Sequence, residues 1–291
     1  MSARKMNTPL GKAFDVFNYT FLGFFALITF FPFLYIFISS FTSTAEILQK
    51  GFVFIPEHPT FDAYRYIFTT SVFIRSLLVS VFITVVGTAV NIILTSMMAY
   101  GLSHEHIIGR KTLMFMVVFT MLFSGGMIPN YLLVKNLGLI NSFAALILPG
   151  AISAFNMIIM KNFFQQIPKE LAESARIDGA NDLIILWKVI LPVSLPALAT
   201  FSLFYAVGHW NTFMSAMLYL NDPKKWPIQV LLRSIVLLSE TGVGEGEQQV
   251  YIPPVTIKMA VIVVATLPIM MVYPFLQKHF VKGMMVGSIK G

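Results

Sequence analysis

Six long apolar stretches of the chain restrict what it can fold into more than any other feature. They occupy 16–39, 73–101, 113–133, 143–160, 197–220 and 256–276. A helix that crosses the hydrocarbon core of a bilayer needs about 20 mainly apolar residues. The stretches are far longer than β-strands and lack the alternating pattern of a transmembrane barrel. They predict an all-α membrane protein in which six transmembrane helices form a single domain over 1–291.

The composition supports lipid as part of the solvent of this protein. Apolar residues make up 57% of the chain, charged residues 11%, and the mean hydropathy is +0.78. Soluble domains carry about 25% charged residues, so a soluble fold this apolar could not cover its own surface. The net charge of +7 comes from basic residues scattered in ones and twos. That scatter is typical of cytoplasmic loops and does not indicate nucleic acid as a partner.

The distribution of charge predicts an orientation in the membrane. Twelve of the 20 Lys and Arg residues fall in the segments that share a side with the N-terminus, namely 1–15, 102–112, 161–196 and 277–291. The positive-inside rule then places both termini in the cytoplasm. The two long outer segments, 40–72 and 221–255, are predicted to be irregular loops, the second around Gly242–Gly246. The first apolar stretch follows basic residues as a signal peptide would, but its length indicates an uncleaved anchor.

Motifs for covalent chemistry are not found. A Walker phosphate loop needs Gly-x-x-x-x-Gly-Lys-Ser/Thr, and Gly109-Arg110-Lys111-Thr112 lacks the first glycine and the intervening residues. His104-Glu105-His106 could suggest zinc, but neighbouring helical positions point about 100° apart and no further ligand lies nearby. The chain has no cysteine, which excludes disulfides and thiol nucleophiles. We therefore predict no enzymatic activity, no metal site and no cofactor in this chain.

The inner segment between the fourth and fifth stretches has a pattern of its own. A short helix is predicted to begin after Pro168, with acidic residues in its first turn. Gly179 is a natural C-terminal stop, and Asn181 or Asp182 can cap a second short helix. Charges of both signs suit docking to a soluble partner. A plain connecting loop is equally compatible with these residues.

This segment resembles the cytoplasmic loop of binding-protein-dependent ABC importer permeases. The family pattern is Glu-Ala-Ala, three residues, Gly, nine residues, Ile, any residue, Leu-Pro. Here it reads Glu173-Ser174-Ala175, Gly179 and Val189-Ile190-Leu191-Pro192, with Ser174 and Val189 as mild departures. The resemblance implies that the loop 168–192 couples the chain to an ATPase. The residues it assigns to coupling are Glu173, Ser174, Ala175, Gly179, Leu191 and Pro192.

Three further segments are similar to the carbohydrate-uptake branch of that family, on the side of the smaller maltose permease subunit. They are 124–131, 206–211 and the tail 280–283. Within the branch they look like permeases for complex or acidic oligosaccharides such as alginate or pectin fragments. The resemblance implies a type I importer fold in a bacterial cytoplasmic membrane. It also implies a second permease subunit, two ATPase subunits that hold ATP and Mg, and an external solute-binding protein.

Polar residues inside the predicted spans are costly in lipid, so they are expected to face the bundle interior. In the second span Thr84, Thr88, Asn91 and Thr95 share one helical face. Aromatic faces with neutral donors and acceptors suit a sugar. The candidates for a sugar path are Asn91, Asn156, Tyr205, His209, Trp210 and Asn211. The alternative for all of them is interhelical packing, which we favour for Thr84 and Thr88.

A transporter driven by an ion gradient is the alternative function. It would be expected to carry carboxylates at membrane depth or paired broken helices. No Asp or Glu lies within any of the six predicted spans. An ATP-driven importer is therefore the favoured interpretation.

Overall fold

The structure is a computed structural model that describes residues 9–240 and 254–287. Over these ranges every regular element is helical, in agreement with the predicted all-α class. The chain divides into two compact units. One comprises Met1–Thr70 with Ile235–Val264, and the other comprises Ser71–Ser234 with Ala265–Gly291.

The first unit begins with a long, apolar helix that its own chain leaves uncovered. Its helices are α1 Pro9–Ser39, α2 Thr44–Lys50 and α3 Asp62–Thr69. From residue 12 to residue 38 no side chain of this helix is buried within the described chain. An apolar helix with no polar face fits lipid on most sides, as expected for a membrane span.

The outer segment 40–72 is more ordered than predicted, and the expectation of an irregular loop is wrong there. Ser43 caps α2 by accepting the Glu46 N–H at 3.2 Å, and Gly51 ends the helix with φ of 70°. Glu46 is buried and accepts both the Glu57 N–H and the Lys50 ammonium. These bonds fix the turn after α2. The Ser43 cap can be recognised in the sequence. The Pro and Gly residues that follow it are typical of a loop, and for that reason the helix was not predicted.

The second unit is built around one long helix. Its helices are α4 Ser71–Ser103, α5 Arg110–Leu122, α6 Met127–Asn136, α7 Ala144–Ile147, α8 Ala154–Phe164, α9 Lys169–Ile177, α10 Asp182–Ile185, α11 Leu191–Val193, α12 Leu195–Trp210 and α13 Met214–Tyr219. Two more helices, α14 Ile228–Glu240 and α15 Val255–Gly287, each have residues in both units. Helix α4 packs against α8 and α12.

A cluster of buried side chains joins the end of α4 to α8 and to the segment that precedes α12. We call it the elbow cluster, and it contains Ala99, Tyr100, Leu102, Met157, Met160, Phe164, Ile185, Leu186, Ile190, Leu191, Ala197 and Phe201. Where helices meet in lipid, adhesion comes from close packing and hydrogen bonds because lipid tails are as apolar as the side chains. Close packing within the elbow cluster therefore holds these helices together.

Three helices are long and apolar enough to cross a membrane, namely Gly11–Ser39, Ser71–Ser103 and Val255–Val272. Two bent pairs raise the number to five if each pair is one span. They are Arg110–Leu122 with Met127–Asn136, at 119°, and Asp182–Val193 with Leu195–Trp210, at 89°. These figures refer to the described residues, so the predicted count of six remains a prediction.

Several predicted spans are interrupted where the sequence contains glycine or proline. The stretch 113–133 breaks between α5 and α6, where Gly126 has φ of 85°. Pro129 lies in the first turn of α6, where its missing N–H has no intrahelical partner to lose. The stretch 143–160 breaks between α7 and α8 at Pro149-Gly150. In the outer segment 221–255, α14 replaces part of the predicted loop, and Gly242–Gly246 lies outside the described residues.

Candidate functional site

The segment 168–192, which we call the elbow, begins with a helix whose two ends are set by the sequence. Helix α9 starts directly after Pro168 and ends at Ile177. Gly179 follows with φ of 85° and donates its N–H to the Arg176 carbonyl at 3.0 Å. The Ala180 N–H reaches the Ala175 carbonyl at 2.9 Å, which completes a Schellman motif. The predicted start and the predicted glycine stop are both confirmed.

The second half of the elbow turns the chain toward α12. The Asn181 side chain caps α10 by accepting the Ile184 N–H at 2.9 Å, as predicted. The chain then winds through a wider π-helical turn, Leu186–Ile190, and α11 before it bends by 89° into α12. Ser194 at the bend is fully buried and donates its hydroxyl to the Ile190 carbonyl at 2.7 Å. The bend is therefore covered and hydrogen-bonded within the chain.

An arginine that the sequence did not single out joins the parts of the elbow. Arg176 on α9 donates to the Asp182 carboxylate at 2.8 Å, and this bond raises the pKa of the Arg176 guanidinium. The same guanidinium lies 3.5 Å from Nε2 of His104, whose Nδ1 lies 2.9 Å from the Tyr100 carbonyl. Exposed ion pairs contribute about 0–1 kcal/mol. Arg176 therefore adds little to the stability of the fold, and its main effect is to orient the elbow against the end of α4.

The elbow has one side toward its own chain and one side away from it. Ala172 and Ala175 pack on the elbow cluster, and Leu191 is buried within it. The predicted residues Glu173, Ser174, Gly179 and Pro192 are exposed. They share the free side with further exposed residues, namely Glu170, Leu171, Ile177, Leu183, Ile184 and Trp187. The six predicted coupling residues thus divide between an internal face and a free face.

Glu173 lies at a cavity of about 180 Å³ between the elbow and the end of α4. Lys169 and Arg176 line the same cavity, together with His104. Because one acid and two cations line this cavity, it suits a polar side chain of a partner protein. The cavity was not foreseen because it depends on how α4 meets α9.

A second constellation lies where α4, α12 and the turn between α7 and α8 meet. Asn91 is 1% exposed, and its Nδ2 donates to the Gly150 carbonyl at 3.0 Å. Since this bond fixes which side-chain atom is the amide nitrogen, the oxygen Oδ1 faces Nε2 of His209 at 2.9 Å. An amide oxygen only accepts, so Nε2 carries the imidazole proton. Asn91 therefore ties three elements together.

Tyr205 makes a parallel connection one turn away. Its hydroxyl lies 2.7 Å from the Thr95 hydroxyl and accepts the Ser153 N–H at 3.1 Å. The residues of α4 and α12 that the sequence placed on separate helical faces thus face one another. Among them Asn91, Thr95 and Tyr205 are buried.

His209 can approach Asn91 only because α4 carries a glycine beside it. A Cβ at Gly87 would lie 2.5 Å from Nε2 of His209 and 2.7 Å from two ring carbons. Such distances are far inside van der Waals contact. Gly87, which the sequence analysis passed over, is thus part of the constellation.

The remaining predicted path residues are placed apart from this centre. Trp210 is buried and donates its indole N–H to the Ala265 carbonyl at 2.9 Å. Asn156 is also buried. Asn211 is exposed, and its Nδ2 donates to the Val207 carbonyl at 2.9 Å. Only Asn211 and the half-buried His209 are reachable from outside the described unit.

Comparison with known proteins decides the family. The family described as "binding-protein-dependent transport system inner membrane component" matches residues 91–286. The chain belongs to this family. The match begins at Asn91 and includes the elbow, α12 and nearly all of α15, so the elbow and all of the second constellation except Gly87 lie within the matched part.

Relatives of this inner membrane component include two proteins of Bacillus subtilis (strain 168). The chain is 60% identical over 286 residues to the polygalacturonan/rhamnogalacturonan transport system permease protein YtcP, covering 96% of this chain and 99% of that protein. It is 55% identical over 287 residues to protein LplC, covering 98% and 97%.

A solved structure resembles the fold of this inner membrane component over nearly its full length. It belongs to a bacterial ABC transporter involved in the import of the acidic polysaccharide alginate. The TM-score is 0.85 at 36% identity, with 94% of this chain and 99% of that chain covered. The predicted importer-permease fold and transport role are confirmed at this level.

Proposed function

We propose that this chain is one half of the membrane pathway of an ATP-driven importer for acidic oligosaccharides, and that the elbow couples it to the ATPase. The other half is a second permease subunit. Two ATPase subunits bind ATP and Mg, and an external solute-binding protein delivers the sugar. This chain contributes no covalent chemistry and binds no nucleic acid. It works by changing which side of the pathway is open.

The relatives support the substrate class, and the neutral character of the buried constellation supports an ATP-driven mechanism. The relative YtcP is named for polygalacturonan and rhamnogalacturonan, and the structural neighbour for alginate, all of them acidic polysaccharides. The groups around Asn91 are amides, hydroxyls, an imidazole and backbone carbonyls. They include no carboxylate that would hold a driving ion. This favours an ATP-driven importer over an ion-driven transporter.

The observation that carries the coupling role is the division of the elbow into two faces. One face packs on the elbow cluster through Ala172 and Ala175, while the acidic Glu173, at the mouth of the cavity beside α4, and the apolar Ile177 are exposed. A free face with a charge beside exposed apolar groups is suited to a cleft on a soluble partner. Because the rear face is locked to α8 and the end of α4, displacement of the elbow would move those helices with it.

Within the pathway, His209 and Asn211 are the residues we place nearest the sugar. Asn211 is exposed, and His209 is half-buried. With the proton on Nε2, the other ring nitrogen of His209 can accept a hydrogen bond from a sugar hydroxyl. Asn91 holds the His209 ring from behind, whereas Tyr205, Trp210 and Asn156 are buried within the chain and pack its helices. We further propose six crossings with both termini in the cytoplasm, which places the elbow beside the ATPase.

The experiment is uptake by proteoliposomes that contain the whole complex. With loaded binding protein outside and ATP inside, labelled oligogalacturonate should accumulate, and without ATP it should not. Glu173→Lys should abolish uptake and release the ATPase, because unpairing a desolvated interface charge costs about 2–5 kcal/mol. Asp15→Lys, the same charge reversal at an exposed acid of α1 outside the elbow, is the matched control and should behave as wild type. Uptake by this chain alone, driven by an ion gradient without ATP, would refute the proposal.

A further inference from the structure

Arg233 is an exposed cation that the fold holds in place without neutralising it. It lies on α14, and its guanidinium carbon is 4.3 Å from the centre of the Phe213 ring. A guanidinium stacked on an aromatic face keeps its N–H donors at its edge, where they point away from the ring. No carboxylate of the described residues forms an ion pair with Arg233. Its donors are therefore free to bind an anion from outside the described chain.

Both partners of this stack are anchored to one buried cluster, which we call the Val230 cluster. It contains Ile83, Val134, Ala145, Leu146, Ala216, Tyr219, Leu220 and Val230. Val230 lies one turn before Arg233 on α14, and Phe213 packs against the same cluster. The start of α14 is fixed further by the Ile228 N–H, which donates to the buried Ser80 hydroxyl at 2.8 Å. A group that is already positioned loses less freedom when a ligand binds, so the guanidinium is prepared for binding.

Other basic residues near the predicted outer side differ from Arg233 in one of two ways. Some are used within the fold, since Lys50 pairs with two glutamates and Lys225 donates to the Asn141 carbonyl. Others are exposed but not held, and Arg75 on α4 is an example, because no aromatic ring of the described chain lies under its guanidinium. Arg233 thus combines free donors with a fixed position.

The stack lies beside one of the residues that we place nearest the sugar. Phe213 follows Asn211 by two residues, a separation of about 7 Å or less along the chain. Asn211 is exposed, and its side-chain oxygen has no partner within the described chain. Helix α12 leads from the elbow to Asn211, so the stack lies beyond the end of α12 that is remote from the elbow. In the proposed orientation, a sugar delivered from outside reaches that end first.

We infer that Arg233 binds the carboxylates of the acidic oligosaccharide at the outer end of the pathway and so selects acidic over neutral sugars. This rests on the proposed function, since it assumes that acidic oligosaccharides pass through this chain. Arginine offers two parallel N–H donors that match the two oxygens of a carboxylate. The relative YtcP and the structural neighbour are named for polysaccharides that contain uronic acid units. Asn211, beside the stack, can bond to a hydroxyl of the same sugar unit or of the next.

Uptake of two matched substrates by the whole complex in proteoliposomes tests this inference. One substrate is labelled oligogalacturonate, and the other is its partly methyl-esterified form, which has the same sugars but fewer charges. The readout is the ratio of acid uptake to ester uptake in each variant, divided by the same ratio in wild type. Because every reconstitution contains the same binding protein, the preference of that protein cancels.

Three variants of this chain are compared. Losing the hydrogen bonds to one charged group corresponds to roughly ten-fold, so Arg233→Gln should slow oligogalacturonate uptake by about that factor and slow the esterified form less. Arg233→Lys keeps the charge but loses the planar fork, so its ratio should fall between those of wild type and Arg233→Gln. Arg75→Gln makes the same change at an exposed arginine that lies over no described ring, and this matched control should keep the wild-type ratio.

The outcomes separate this inference from the proposed function. If Arg233→Gln slows both substrates equally, or slows neither, Arg233 does not recognise carboxylates and the inference fails alone. If Arg75→Gln lowers the ratio as much as Arg233→Gln does, the overall positive charge selects the substrate and no site at Arg233 is needed, which would also overturn the inference. If the unmodified complex imports no oligogalacturonate, the proposed function itself fails.

Discussion

Replacing Gly87 by alanine should destabilise the permease although alanine is the better helix former. The added Cβ would lie 2.5 Å from Nε2 of His209, so the ring must move by about 1 Å to restore van der Waals contact. That movement pulls the ring away from Oδ1 of Asn91, now at 2.9 Å. Asn91 is 1% exposed, so no water replaces the lost donor.

The magnitude follows from three terms. Overpacking a well-fitted site costs about 1–3 kcal/mol, and leaving a buried acceptor unpaired costs about 1–3 kcal/mol. Against these, alanine gains about 1 kcal/mol over glycine in a helix interior. The net loss should be about 1–5 kcal/mol, which lowers the thermal midpoint by at least roughly 2 °C.

Gly101→Ala is the matched control because it makes the same change in the same helix. A Cβ at Gly101 would meet no atom within 4 Å. Only the gain in helix propensity remains, so this variant should be neutral or slightly more stable. The assay is the thermal unfolding midpoint of the purified complex, measured alongside uptake in proteoliposomes.

A double-mutant cycle with His209→Ala isolates the contact. Removing the ring opens the space that the new methyl group needs, so Gly87→Ala should cost little in that background. Neighbouring sites that share a contact are expected to be non-additive by about 0.5–3 kcal/mol. If Gly87→Ala is as harmless as Gly101→Ala, or costs the same with and without the ring, His209 does not lie over Gly87 and the reasoning is refuted.

Three further predictions concern the elbow, the tyrosine bridge and the orientation. Gly179→Asn should retain uptake and ATPase binding, whereas Gly179→Val should lose both in co-purification, because asparagine tolerates positive φ and a β-branched residue does not; equal behaviour of the two variants would contradict this. Tyr205→Phe should lower the unfolding midpoint, since it leaves two polar groups unpaired at about 1–3 kcal/mol each; an unchanged midpoint with lost uptake would instead indicate sugar contact. Cysteine at Ser43 should react with an impermeant reagent from outside and cysteine at Asn181 should not; outside labelling of Asn181 would reverse the orientation.

The sequence predicted well those elements whose signals are local. The start of α9 after Pro168, its end before Gly179 and the cap by Asn181 each depend on the backbone needs of one or two neighbouring residues. The apolar stretches likewise located α4 within two residues at each end, as well as the end of α1 and the start of α15. Helix α1 begins seven residues before its predicted stretch, and α15 ends eleven residues after its own. The interruptions were harder, because an apolar window of 20 residues averages over Gly125 or Pro149 without showing how sharply the chain turns there.

Site residues were likewise predicted where their signal is local and missed where their role depends on a distant segment. Helical periodicity placed Asn91 and Thr95 on one face of α4, but it does not show which helix that face meets. Gly87 matters only because His209, more than a hundred residues later, packs on it. Arg176 likewise acquires its role from His104 at the end of α4. Such residues are recognisable once two segments are placed side by side, and one sequence does not place them.

Polarity at membrane depth therefore needs a second criterion before it indicates a substrate path. Asn91 and Tyr205 each use their side chains in two interhelical contacts, so their polarity is already satisfied by the fold. A sugar gains little from groups that must first give up such partners, since the exchange leaves buried atoms unpaired. The side-chain oxygen of Asn211 is exposed and has no partner within the described chain. A hydrated substrate can be bound and released where exposed donors and acceptors have no hydrogen-bond partner in the fold. The presence of polar residues alone does not indicate such a place.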